Sequence, residues 1–283
     1  MKAICTILKA GMVIISVILF VMVAGVMMLS RRDRAVVMQP QKTLFVDGTE
    51  RHYLISVSPK SRPTKLVVGL HGFGDSPHKF AYYTALHNVA GDDTIVVYPS
   101  ATRPRTKNVK SGWNSGFCCG SGWIDGVDDV GFIQELIDKV SREYGISAKD
   151  TFLVGFSNGA FMAQRFAVDR PNSIGGVAIS SGTIGTTTDR LRPRTPVPIL
   201  IMHGELDKTV PMLGGSTASD PDFDWLPYAE TLSVWRKNDG EKATVSTIIF
   251  HNTAHIWYGW RIANLWHHRP QASVESINFL KGL

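Results

Sequence analysis

Six short apolar runs set the frame for this chain: KLVVGLH, TIVVYP, TFLVGF, GGVAIS, PILIMH and STIIF. They are rich in Val and Ile and show no polar alternation. Strands of that kind must be covered on both faces, which suits a parallel sheet. Between them lie helical patterns. Val130, Ile133, Leu136, Ile137, Val140 and Tyr144 recur at spacings of three and four, opened by Asp128 and Asp129 and closed by Gly145. SVESINFLKGL predicts a final short helix. Ahead of all these, KTLFVDGTERHYLISV predicts a hairpin turning at Asp47-Gly48. The expected fold class is therefore α/β: a mostly parallel sheet with helices on both faces and an antiparallel N-terminal hairpin.

The 283 residues, 44% hydrophobic and 19% charged, suit one large globular domain. The formal charge of +6 is concentrated at the start, where residues 1–34 hold five basic residues and one acidic. Without them the balance is +2, too even for a nucleic-acid footprint, so no nucleic-acid partner is expected. Residues 11–29 carry no charge. Nineteen such residues approach the ~20 needed to cross a bilayer and exceed the apolar core of a cleaved signal peptide. The expected organisation is a signal-anchor or transmembrane segment at 1–34, a polar linker at 35–43 and a catalytic domain at 44–283. The body would lie outside the cytoplasm, tethered by the N-terminal helix or secreted after cleavage, with the membrane touched through that helix alone.

Chemistry enters at TFLVGFSNGAFMAQRFA, where a strand changes into a helix without a loop. Gly155, Ser157 and Gly159 fit G-x-S-x-G, in which a tight, strained turn lifts the serine hydroxyl to the open end of the sheet. A serine needs a base to become a nucleophile, and the base needs an orienting acid. Both should follow in the order acid, then histidine, in loops after strand ends. PILIMHGELDKTVP supplies Asp207, preferred over Glu205 because H-G-x-x-D-x-x-V-P puts it past the turn. STIIFHNTAHIWYGW supplies His255, far enough from the strand end to reach Ser157, with His251, His267 and His268 as competitors. An oxyanion hole needs two preorganised backbone N–H groups. Asn158, next to the nucleophile, gives one. Phe73 in LHGFGDS gives the other, with Gly74 as the alternative.

WNSGFCCGSGWIDG is too long for a plain turn and is a candidate pocket wall. Its Cys118-Cys119 pair admits a vicinal disulfide or two free thiols, but no long-range staple. Phe73, Trp113, Phe117, Trp123 and Trp257 are aromatic candidates for the cleft. No cluster of ligands suggests a metal.

LHGFGDS, GWNSGFCCG, DDVGFIQELID, VGFSNGAFMAQRFA, HGELDKTVPMLGG and HIWYG, taken in order, resemble the secreted polyhydroxybutyrate depolymerase and feruloyl esterase group of α/β-hydrolases. The likeness runs from about residue 44 to the C-terminus. It implies an α/β-hydrolase fold, no cofactor, and a Ser-Asp-His triad at Ser157, Asp207 and His255. It also implies that the loop with Trp113, Phe117, Cys118 and Cys119, together with Asp128-Asp129, borders the active-site cleft; Trp257 beyond the histidine is a further candidate for contact with substrate. The group's histidine usually follows a glycine run and precedes Trp-Pro-Gly. Here Asn252-Thr253-Ala254 precede it, and His-x-Trp-x-Gly survives as His255-Ile256-Trp257-Tyr258-Gly259. The implied activity is hydrolysis of carboxylic esters, hydroxyalkanoate or hydroxycinnamoyl, by a serine mechanism. A peptidase of the same fold would want a large gating domain, and a non-catalytic scaffold would be expected to lose a member of the triad.

Overall fold

The computed structural model describes residues 31–58, 60–218, 221–237, 244–259 and 272–283, together with Ser16. Apart from Ser16, the charge-free run at 11–29 lies outside them, as do Cys5, His267 and His268. Among the described residues no helix is long and apolar enough to cross a membrane.

All six apolar runs are strands. With the hairpin they make one eight-stranded sheet of order β1-β2-β4-β3-β5-β6-β7-β8. The hairpin strands β1 (Lys42–Val46) and β2 (Thr49–Ser56) pair antiparallel, with Val46 opposite Thr49. Asp47 and Gly48 both take positive φ, 47° and 73°, as a two-residue turn matched to strand twist requires. β2 joins the sheet antiparallel to β4 (Thr94–Pro99). From there β3 (Lys65–Leu70), β5 (Thr151–Phe156), β6 (Gly176–Ser180), β7 (Ile199–Gly204) and β8 (Val245–Phe250) run parallel. β8 is only partly buried because it is the edge, although its apolar run reads like the central strands.

Alternate strand residues feed two cores. Leu66, Val68, Leu153 and Ile201 face α5 (Asp129–Tyr144), α6 (Asn158–Asp169) and α7 (Tyr228–Lys237). Val67, Val96, Val154 and Met202 face α2 (Pro77–Thr84), α3 (Leu86–Val89) and α8 (Ala272–Lys281). A short α4 (Gly120–Ile124) follows the cysteine pair. α5 is capped as its sequence predicts: Asp128 accepts from the Gly131 N–H, and Gly145 closes it at φ 72°.

The stretch read as a polar linker has more structure than its composition suggests. Residues Arg31–Val37 form α1, Val36 is buried in the second core, and the Gln39 amide donates to the Ile55 carbonyl at 2.9 Å. One buried apolar residue and side-chain hydrogen bonds hold this helix, so no apolar period announces it.

Arg51 on β2 meets Asp129 at the start of α5 at 2.5 Å, with both side chains buried. The other Asp129 oxygen accepts the Asn114 N–H at 2.7 Å, and the Arg51 guanidinium lies 3.9 Å from the Phe132 ring centroid. Sheet, helix and the Trp113 loop thus meet at one carboxylate. Removing one partner of such a pair strands the other charge in the interior. Arg51→Met is expected to cost about 3–5 kcal/mol in urea denaturation; a cost under about 1 kcal/mol would show the pair to be dispensable.

Candidate active site

Ser157 stands between β5 and α6 with φ 54° and ψ −123°, and its N–H donates to the Ser180 carbonyl on β6 at 3.0 Å. A left-handed φ at a residue with a Cβ costs on the order of 1–3 kcal/mol and must be held by its surroundings. The flanking glycines permit the holding. A Cβ on Gly155 would strike the Gly159 carbonyl, and one on Gly159 would strike the Leu70 and His71 carbonyls at the end of β3. Neither glycine itself adopts positive φ; space, not φ, excludes a side chain there.

The three residues predicted to act together do meet. His255 Nε2 lies 2.9 Å from Ser157 Oγ, and its Nδ1 lies 2.7 Å from Asp207 Oδ2. Because the carboxylate can only accept, Nδ1 carries the proton and Nε2 is free to take one from the serine. Asp207 Oδ1 accepts the N–H groups of Thr209 (2.9 Å) and Val210 (2.8 Å). Burial works against ionisation of Asp207, but the hydrogen bond and charge of His255 and the Val210 N–H outweigh it, holding its pKa below the usual carboxylate value. The rival residues pair elsewhere: Glu205 accepts from His251 (3.3 Å) and from the Asn252 N–H (3.1 Å) at an exposed corner.

The loops carrying Asp207 and His255 are bound to each other. A Cβ on Gly204 would come within 2.5 Å of the Thr253 carbonyl, which itself accepts the Leu206 N–H at 2.8 Å. Asn252 takes a positive φ of 52°, a conformation that Asn tolerates better than most residues.

For the oxyanion, the Gly74 N–H is already engaged with the Ser111 carbonyl at 2.8 Å. The Phe73 and Asn158 N–H groups donate to no acceptor among the described residues. Their loop and helix end adjoin: a Cβ on Gly72 would sit 3.4 Å from Ser157 Cβ.

Two cavities open on either side of Ser157, and Ser157 and Phe73 line both. The larger, about 620 Å³, is walled by Cys118, Cys119, Trp123, Val210, Phe223 and Trp225. The smaller, about 380 Å³, is walled by Asp75, Tyr83, Phe156, His255, Ile256 and Trp257. Cys118 and Cys119 form a vicinal disulfide, one of the two states their adjacency allows.

Two residues expected at the substrate are elsewhere. Trp113 is fully buried: its indole N–H donates to the His71 carbonyl (2.9 Å), and its backbone N–H and C=O pair with the Asn158 side chain (2.7 and 3.1 Å). It is a core residue that fixes the loop, because an indole with its N–H satisfied can bury completely. Phe117 is also buried, against Phe161 behind the disulfide at a ring distance of 5.3 Å. Phe223 and Trp225, stacked at 5.1 Å, escaped sequence reading because SDPDFDWLP has no period. No group of three or more His, Cys, Asp or Glu among the described residues could hold a metal.

The sequence family described as Phospholipase/Carboxylesterase matches residues 52–222. The chain belongs to that family. It is 29% identical over 224 residues to NocK of Nocardia uniformis subsp. tsuyamanensis, which carries an esterase name; the match covers 74% of this chain and 63% of NocK. It is 25% identical over 177 residues to feruloyl esterase C of Emericella nidulans, covering 60% of each. The chain thus spans less than two thirds of these relatives' lengths. Among solved structures, esterase PE8 superposes with a TM-score of 0.56 at 20% identity (81% of this chain, 96% of that one). The Bacillus cereus carboxylesterase gives 0.56 at 13% identity, covering 82% and 94%. At these identities the likeness is one of fold, and the fold is the α/β-hydrolase fold.

Gly159→Ala is expected to destabilise the protein by about 1–3 kcal/mol or more, since its methyl must displace backbone. It should also slow labelling of Ser157 by an alkyl fluorophosphonate, because Asn158 moves with it. Thermal denaturation and initial labelling rates check both; a variant with unchanged Tm and rate would contradict this account of the turn.

Proposed function

We propose that this protein is an extracytoplasmic serine carboxylic-ester hydrolase. The observation that carries the reading is the unbroken hydrogen-bond chain from Asp207 through His255 to Ser157 at the mouth of two cavities. Family membership and the esterase names of the relatives support it. A disulfide at Cys118–Cys119 suits an oxidising compartment, and residues 11–29 suit a tether or export signal.

In this mechanism His255 Nε2 takes the proton of Ser157 as Oγ attacks the ester carbonyl, and Asp207 stabilises the imidazolium. The Phe73 and Asn158 N–H groups receive the oxyanion, aided by the N-terminus of α6. The leaving oxygen must then collect the proton from His255 Nε2, so the alcohol half emerges into the smaller cavity, which His255 lines. The acyl half takes the larger cavity. Water entering on the histidine side frees the acyl group from Ser157. The aromatic wall of the larger cavity favours a hydroxycinnamoyl acyl group over a hydroxyalkanoate, without need of a cofactor.

Ser157→Ala should lower kcat/KM on methyl ferulate by at least about 10⁴-fold; activity that survives the change would contradict the mechanism. Methyl ferulate should be hydrolysed faster than a 3-hydroxybutyrate oligomer. The half-site assignment is checked by two narrowing substitutions at exposed positions. Ile124→Trp in the larger cavity should cost roughly tenfold or more on feruloyl esters while sparing acetates. Ile256→Trp in the smaller should do the reverse, penalising acetates of bulky alcohols. The opposite pattern would exchange the two halves.

A further inference from the structure

The motif H-G-x-x-D-x-x-V at 203–210 opens on His203, a residue to which the triad gives no task. His203 lies on β7 and is fully buried. Its Nε2 lies 2.8 Å from the Val210 carbonyl, which can only accept, so Nε2 bears the proton. The same nitrogen is 3.6 Å from Asp207 Oδ2, and Nδ1 has no partner among the described residues. The Val210 N–H donates to Asp207 Oδ1, and the Val210 side chain lines the larger cavity. The turn from 207 to 210 is therefore gripped at both backbone groups of its last residue. Asp207 holds the N–H of its last residue, and His203 holds that residue's carbonyl from beneath.

We propose that His203 is a positioning residue, which by donating to the Val210 carbonyl fixes the turn that aims Asp207 Oδ2 at His255. The motif spacing follows from this: a histidine at the strand end reaches under a four-residue turn whose third and fourth N–H groups cap the acid. Val210 also joins the acid's support to the cavity wall, so the group that orients Asp207 shares a residue with the acyl subsite. The inference rests on the esterase reading above.

His203 is neutral in this role. Burial lowers its pKa, and the Val210 carbonyl and the Asp207 charge oppose that only in part. The other titratable groups nearby are His255 beyond Asp207 and Tyr228, whose ring is 5.5 Å from His203 and whose phenol burial pushes up to about 12. Asp75 and Tyr83 face His255 across the smaller cavity, and Glu205 and His251 pair at the outer corner.

The test compares full-length His203→Phe, which keeps a ring against Tyr228 but cannot donate, with His203→Gln, which can. Ser157→Ala and Asp207→Asn are the references. Displacing a catalytic group by about 1 Å costs up to about 10²-fold in rate. His203→Phe should therefore lower kcat on methyl ferulate by about 10–100-fold with KM changed less than about twofold. Loss of an aligned carboxylate weakens the hold on the charged imidazolium, so the acid limb of kcat/KM should move to lower pH, as in Asp207→Asn. His203→Gln should restore most of the rate and the original limb.

An unmoved profile in His203→Phe, with Ser157→Ala inactive, overturns the positioning role and leaves the esterase reading standing. Equal losses in both His203 variants with an unmoved acid limb also overturn it, since packing alone explains them. Activity that survives Ser157→Ala overturns both readings. Should His203→Phe fail to fold, ¹⁵N NMR of the wild-type imidazoles decides: a neutral His203 protonated at Nε2 is expected, and a ring protonated at Nδ1 overturns the proposal.

Discussion

Everything at the cleft hangs on how closely the first turn of α6 approaches the end of β3. Gly159 lies against the Leu70 and His71 carbonyls with no room for a methyl group. That contact fixes where the helix begins, and so where the Asn158 N–H points and why Ser157 must bend into positive φ. The constraint then closes on itself. The Asn158 side chain pairs with both backbone groups of Trp113, whose indole N–H holds the His71 carbonyl, two residues before Phe73. The two proposed oxyanion donors are thus joined through one amide side chain and one indole. Groups held in this way need no rearrangement when charge develops between them.

A second clamp holds Asp207 and His255. Asp207 is buried, which by itself disfavours a carboxylate, and three donors (Thr209, Val210 and His255) compensate. The loop after β8 reaches it because Gly204 lets the Thr253 carbonyl come close. Two close backbone approaches, at Gly159 and Gly204, therefore set the distance over which Ser157 and Asp207 share one imidazole. The buried Arg51–Asp129 pair does similar work farther out, tying the hairpin to the loop that carries the disulfide.

The legible parts of the sequence were those governed by local rules. Strands covered on both faces cannot alternate, so five of the runs could be recognised, and the edge run of β8 reads like them. The Gly155-Ser157-Gly159 spacing and the loops after β7 and β8 pointed to the groups that the structure brings together. What escaped reading depends on tertiary placement. Trp113 and Phe117 belong to the same loop as the disulfide that walls the larger cavity, yet they line neither cavity, and nothing in a glycine-rich stretch tells one side from the other. Trp225 reaches the cavity through isolated bridges to Thr186 and Gly215, with no strand of its own to give a period. Helix α1 rests on one buried valine and a few side-chain hydrogen bonds, which polar composition conceals. The cysteine pair had two permissible states, and only the folded loop selects the disulfide.

The most direct test of the central claim is chemical. The full-length protein would be treated with an alkyl fluorophosphonate, which needs an activated serine and an oxyanion hole, then weighed intact and mapped by peptide mass spectrometry. The account predicts a single adduct on Ser157 that forms far more slowly when His255 is replaced by alanine. An adduct mapped to another residue, or none from folded wild-type protein, would contradict it.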